Sequence, residues 1–168
     1  MVRKLKVYGS LDEALSDIGN FNGYYNELVL KHDSENHFDQ DCFEQYNSQL
    51  EKDLTKKGVD EETSNVVRII MSELTSNAYR HGVSNDPKEE IRVMTYLSDY
   101  GVLIGTKQNK SFFKNEQIKI FEEGKPVPST YRVKDRLSSN RGTEFITKYA
   151  TGLLIIKKEK EIYASKLF

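Results

Sequence analysis

Residues Met71–Gly82 read MSELTSNAYRHG, and this stretch decides how the rest of the chain is organised. Glu73, Asn77 and His81 recur every four residues in a segment that is otherwise strongly helical. An α-helix turns once in 3.6 residues, so a four-residue repeat traces a nearly straight stripe, drifting by about 40° per step. The apolar row of the same segment is Val66, Ile70, Leu74 and Ala78, with Val67 and Met71 beside it. On a helical wheel the polar stripe falls inside or against that apolar arc. Polar groups on a core-facing arc need partners, because an unpartnered one costs about 1–3 kcal/mol. Either the core supplies those partners or a ligand in a cavity does.

Outward from this stretch, the helix is expected to begin near Asp60, among acidic residues that suit a helix N-terminus, and to stop at Gly82. Before it, Phe38, Cys42, Phe43, Tyr46, Leu50 and Leu54 recur at helical spacing, with lysines and Gly58 closing a helix over 38–57. GYYNELVLKHD (23–33) reads as a strand, and SLDEALSDIGN (10–20) as a short capped amphipathic turn. After Gly82 the period changes. Residues 90–108 have the branched and aromatic content of two strands around a turn at Asp99–Gly101. Residues 111–140 lose regularity, with a short helix in KNEQIKIFEEGKP and loop-like sequence around Pro126 and Pro128. GTEFITKYA (142–150) reads as a helix, and GLLIIKK and EIYASKLF as two strands joined at Glu159–Lys160. The order implies an α+β fold: a two-layer sandwich, its sheet mostly antiparallel, with the helices on one face. No repeat or linker marks a second domain, so residues 1–168 read as one.

Composition narrows the function classes. Net charge is −1 with 37 % hydrophobic and 30 % charged residues, so no overall field favours nucleic acid or an acidic membrane. VRKLK and KKEKEIYASK are basic only locally and read as solvated faces. A single cysteine, Cys42, allows no internal disulfide and favours a reducing compartment. With no apolar leader and no run long enough to span a bilayer, a soluble cytoplasmic protein is expected. His32, His37, Asp39, Asp41 and Cys42 fit no common closed metal site by spacing, and a solvated approach to the helix is the preferred reading.

SELTSNAYRHG resembles the N-box of the histidine-kinase-like ATPases, and is most similar to that of the bacterial anti-sigma-factor serine kinases. Ser72, Glu73, Asn77, Ala78, His81 and Gly82 carry the likeness. The resemblance implies ATP and magnesium as cofactors, Glu73 as the base that activates the attacking group, and Asn77 as the magnesium ligand, with His81 also at the nucleotide. Two further boxes belong to the family pattern. In place of the D-x-G-x-G box stands KQNKSFF, which puts Lys107 at the base-reading position. In place of the glycine cluster before a helix stands SSNRGTEF, which puts Arg141, Gly142 and Thr143 at the phosphates. Residues 113–141 occupy the position of the family's nucleotide lid, and residues 1–35 are readable as a family-specific extension. The implied activity is an ATP-dependent serine kinase or ATPase that regulates a partner protein of the anti-anti-sigma kind, with a homodimer as the implied assembly. The alternative class is a protein-interaction module of the same fold without nucleotide.

Overall fold

The computed structural model describes residues 5–19, 24–31, 38–82, 89–108, 141–156 and 158–168, with side chains at 24, 81, 82 and 141–144 outside the description. Six strands form one sheet: β1 (Lys6–Val7), β2 (Tyr24–Lys31), β3 (Glu90–Leu97), β4 (Gly101–Lys107), β5 (Gly152–Ile156) and β6 (Glu161–Leu167). Their spatial order is β1-β5-β6-β4-β3-β2. Every neighbouring pair is antiparallel except β1 and β5, which run parallel. The helices are α1 (Leu11–Asp17), α2 (Gln40–Lys56), α3 (Glu61–Gly82) and α4 (Arg141–Tyr149). The architecture is therefore α+β with a mixed sheet. The irregular segment expected at 111–140 lies outside the described residues.

Both ends of α2 and the start of α3 have a visible cause. Asp39 caps α2 by accepting the Cys42 amide at 2.9 Å, and the bonded amide holds the Asp39 carboxyl below its usual range. At the other end the amides of Val59 and Gly58 return to the carbonyls of Leu54 and Thr55. Gly58 takes φ +74°, the left-handed conformation that this closing motif requires. Asp60 then opens α3, accepting the Thr63 amide and hydroxyl at 2.8 Å each. Acidic Glu61 and Glu62 occupy the first turn, where the helix dipole favours them.

One face of the sheet and the helices α2, α3 and α4 enclose the main core. From the strands come Leu30, Ile91, Val93, Val102, Ile104 and Ile162 among others, and from the helices Leu50, Leu54, Ile70, Leu74 and Ile146. Tyr46 ties α2 to the sheet: its hydroxyl donates to the Asn26 carbonyl (3.0 Å) and is 2.9 Å from the Thr95 hydroxyl. The expectation that all helices share one face holds for these three and fails for α1. Ala14 of α1 and its C-cap residue Ile18 are buried on the other face, with Tyr8, Met94, Leu103, Leu154 and Tyr163. The cause is in the strands. β3 to β6 alternate side chains between faces yet carry large apolar residues on both, so part of the second face also needs cover. The basic opening is likewise not only a solvated face: Lys6–Val7 joins the sheet beside β5, and Tyr8 donates its amide to the Leu153 carbonyl at 2.9 Å. Among the described residues no helix is long and apolar enough to cross a membrane.

The direction of α3 positions everything that follows. Lys57, at the turn between α2 and α3, pairs with Asp99 in the β3–β4 turn. Thus α3 starts at that end of the sheet and runs over β4, on which it packs, toward the end where β4 stops at Lys107. At 22 residues it spans roughly 33 Å, longer than β4 beneath it.

Candidate functional site

The stripe on α3 is where the sequence pattern and the packing meet. Val67, Ile70, Met71, Leu74 and Ala78 are fully buried and define the side facing the sheet. Glu73 and Asn77 are half-buried at its margin. With about 100° per residue, Glu73 continues the row Glu62, Val66, Ile69. That row faces α4: Glu62, Val66 and Ile69 line one groove with Phe145 and Tyr149. Asn77 lies one turn further and closer to the buried arc. His81 falls in the last turn of α3, with its side chain outside the described residues.

The orientation of α4 follows from what it joins. It leads through Ala150 into β5, whose first residue Gly152 pairs with Ser165, and Ser165 pairs with Leu103 near the start of β4. Hence the C-terminal end of α4 sits at the N-terminal end of α3, and the two helices run antiparallel. Phe145 is already beside Val66 and Ile69. Four residues further back, about 6 Å along the axis, the first turn of α4 is carried toward the level of Glu73. The backbone of Arg141, Gly142 and Thr143 forms that turn. Its leading amides have no intrahelical acceptor, as in any helix. Gly142 is inside the helix, as the reading of 142–150 expects, and the side chains of these three residues lie outside the description.

Lys107 is not brought to this place. It is opposite Glu161 in the β4–β6 register, and its ammonium pairs with the Glu161 carboxylate at 2.9 Å on the far face of the sheet. Because successive strand residues point to opposite faces, its neighbours Thr106 and Gln108 turn toward the helices instead. Thr106 is fully buried and Gln108 is 5 % exposed. Neither Thr106 Oγ1 nor Gln108 Oε1 has a hydrogen-bond partner among the described residues. These two residues were missed in the sequence, because β4 is apolar at Val102, Leu103 and Ile104 in succession and alternation alone does not say which face meets the helices.

The three candidate side chains that are described thus divide. Glu73 and Asn77 share the margin of α3 that looks toward α4, and Lys107 belongs to a different surface. The oxygen donors of a carboxylate and a carboxamide suit a hard divalent cation such as magnesium. Among the described residues no group of three or more His, Cys, Asp or Glu side chains could hold a metal ion. Asp39 is a helix cap, and Cys42 is exposed. The chain matches no protein-family model and no curated protein.

Proposed function

We propose that the chain is a histidine-kinase-like ATPase domain of the anti-sigma serine-kinase type, binding ATP with magnesium and acting as a regulatory switch on a partner protein. One observation carries the reading. Glu73 and Asn77 stand half-buried on the margin of α3 that turns toward the first turn of α4, and at the end of β4 Thr106 Oγ1 and Gln108 Oε1 are buried without a hydrogen-bond partner among the described residues. A purely structural polar row would be expected to close on core partners. In this reading the Asn77 side-chain oxygen holds the cation and Glu73 accepts the proton of the attacking hydroxyl or water. The α4 amides, with Arg141 to Thr143, receive the phosphates. Magnesium, when bound, supplies neutralisation of phosphate charge.

The test is thermal melting of the full chain with and without magnesium-ATP. Ligand at 100 times its dissociation constant adds about 2.7 kcal/mol, a rise on the order of 5–10 °C for a domain of this size. An unchanged melting temperature at millimolar nucleotide overturns the reading. The second reading, an interaction module without nucleotide, has its own observation. Tyr25 and Val29 stay 43 % and 39 % exposed on the sheet face that bears Tyr96 and Tyr163, and Tyr25 and Tyr96 have ring centroids 4.8 Å apart. An exposed tyrosine beside an exposed valine, on the part of this face that α1 does not cover, suits protein docking.

A further inference from the structure

At the end where α3 begins, α3 and α4 leave a groove of about 460 Å³ between them. Val66 and Ile69 form one wall, and Phe145 and Tyr149 the other. The two aromatic rings lie against each other, their centroids 4.4 Å apart, yet Ile69 stays 41 % exposed and Tyr149 37 %. Glu61 and Glu62 line the same groove, both exposed and neither with an ion pair among the described residues. The helix dipole accounts for carboxylates in a first turn. It does not account for an open apolar wall beside them. Of the nearby cations, Lys148 lies over the Tyr149 ring at 5.1 Å, and Arg68 is turned to Glu51 of α2 at 3.1 Å. With Lys148 counted, carboxylates still outnumber cations at the groove.

We propose that this groove docks a short amphipathic helix of a partner protein, which seats a large apolar side chain between Ile69 and Tyr149 and sets lysines or arginines against Glu61 and Glu62. The walls set the form of the occupant. Both are helices, whose backbone groups are bonded internally, so an extended peptide finds no strand edge to join. A third helix instead lays one row of side chains into the furrow between two others. From Glu62 to Ile69 the furrow follows α3 for roughly 10 Å, about two turns of an occupying helix. The apolar anchor supplies the affinity by covering Ile69 and the Tyr149 ring, a residue type favoured at interface centres. The carboxylates set orientation and the rate of approach. They also repel phosphate, which excludes nucleic acid and acidic lipid as occupants. Docking here does not rest on nucleotide binding, because none of these residues belongs to the proposed ATP site.

The probe is a lactam-bridged peptide of about four helical turns, with leucine on one face and lysine on the other. Its twin carries glutamate in place of lysine. Both are labelled and titrated with the full chain, without nucleotide, by fluorescence anisotropy. The leucine–lysine peptide is expected to bind at least about tenfold more tightly than its twin, and Glu61→Gln/Glu62→Gln should remove most of that advantage. Ile69→Ser and Tyr149→Ser, which delete apolar wall without adding charge, should each weaken the leucine–lysine peptide about tenfold. Peptide-free melts establish that the variants are folded, and either serine variant alone decides if the other is not. Overturning results are a wild type that does not bind the leucine–lysine peptide at millimolar chain, a twin bound as tightly, or serine variants that bind as wild type does. A loss at Val29→Ser in place of the groove variants moves docking to the sheet face and also overturns the inference. None of these outcomes bears on magnesium-ATP, whose test is separate.

Discussion

Tyr163 lies against Gly105, its register partner on the neighbouring strand, so closely that a Cβ on the glycine would come within 2.2 Å of the ring. The ring is 1 % exposed, and its hydroxyl donates to the Glu161 carboxylate at 2.9 Å and approaches the Met94 sulfur at 3.7 Å. Burial, then the Glu161 bond and charge, push the phenol well above its usual pKa. The glycine exists for the ring, not for a special backbone angle. Gly105→Ala should force the ring out of its seat and cost about 1–3 kcal/mol, measured as a lowered denaturation midpoint. An alanine variant as stable as wild type would mean that the ring moves freely.

The far-face position of Lys107 gives a second expectation. Lys107→Ala should leave magnesium-ATP affinity unchanged. Its ion pair with Glu161 is partly exposed, so stability should fall by no more than about 1 kcal/mol. Calorimetry and melting on the same variant check both halves. A clear loss of nucleotide affinity would place Lys107 at the ligand after all.

Much of the fold could be read from residue spacing, and the reasons differ by element. The acidic residues around Asp60 and the change of period after Gly82 located α3 and β3, because both signals are local. Gly58 ended α2 for the same reason. The cover provided by α1 could not be read this way. β4 is apolar at Val102, Leu103 and Ile104 in succession, so alternation does not say which face is the outer one. The same ambiguity hid the face to which Thr106 and Gln108 turn. Reading Lys107 into the pocket was a one-residue choice between faces, and only the pairing of Lys107 with Glu161 decides it. Glu73 and Asn77 were legible because a helix shows its stripe in sequence, whereas the neighbourhood of α4 and α3 depends on the sheet order.

A pH dependence follows at the other end of the sheet. The Lys6 ammonium bonds Asp17 at 2.6 Å and the Tyr8 hydroxyl donates to it at 2.7 Å. These bonds, that from Lys6 first, hold the Asp17 carboxyl below its usual value. A carboxyl depressed by folding stabilises the fold above its unfolded pKa of about 3.9, and the contribution is lost as pH falls through the folded value. Wild type should therefore exceed Asp17→Asn in stability at about pH 7 by no more than about 1 kcal/mol, since the pair is partly exposed. The gap should narrow steadily as pH falls below about 3.9. Melts across that range test the sign, and a gap that widens in acid would contradict it.

Asn77 separates the enzyme from the module. It is half-buried on the margin of α3, one turn beyond Glu73. A side chain that faces a bound cation has few core partners to leave behind, so Asn77→Ala should melt within about 0.5 kcal/mol of wild type. It should also lose magnesium-dependent nucleotide binding. If Asn77 instead bridges buried groups, its removal strands them and costs about 1–3 kcal/mol, and wild type has no nucleotide binding to lose. The two outcomes move opposite readouts, so neither can be mistaken for general damage to the fold. Titration of both proteins with magnesium-ATP, beside ligand-free melts, therefore decides the matter. A wild type that binds nothing and a mutant that melts clearly lower would leave the interaction module as the function of this fold.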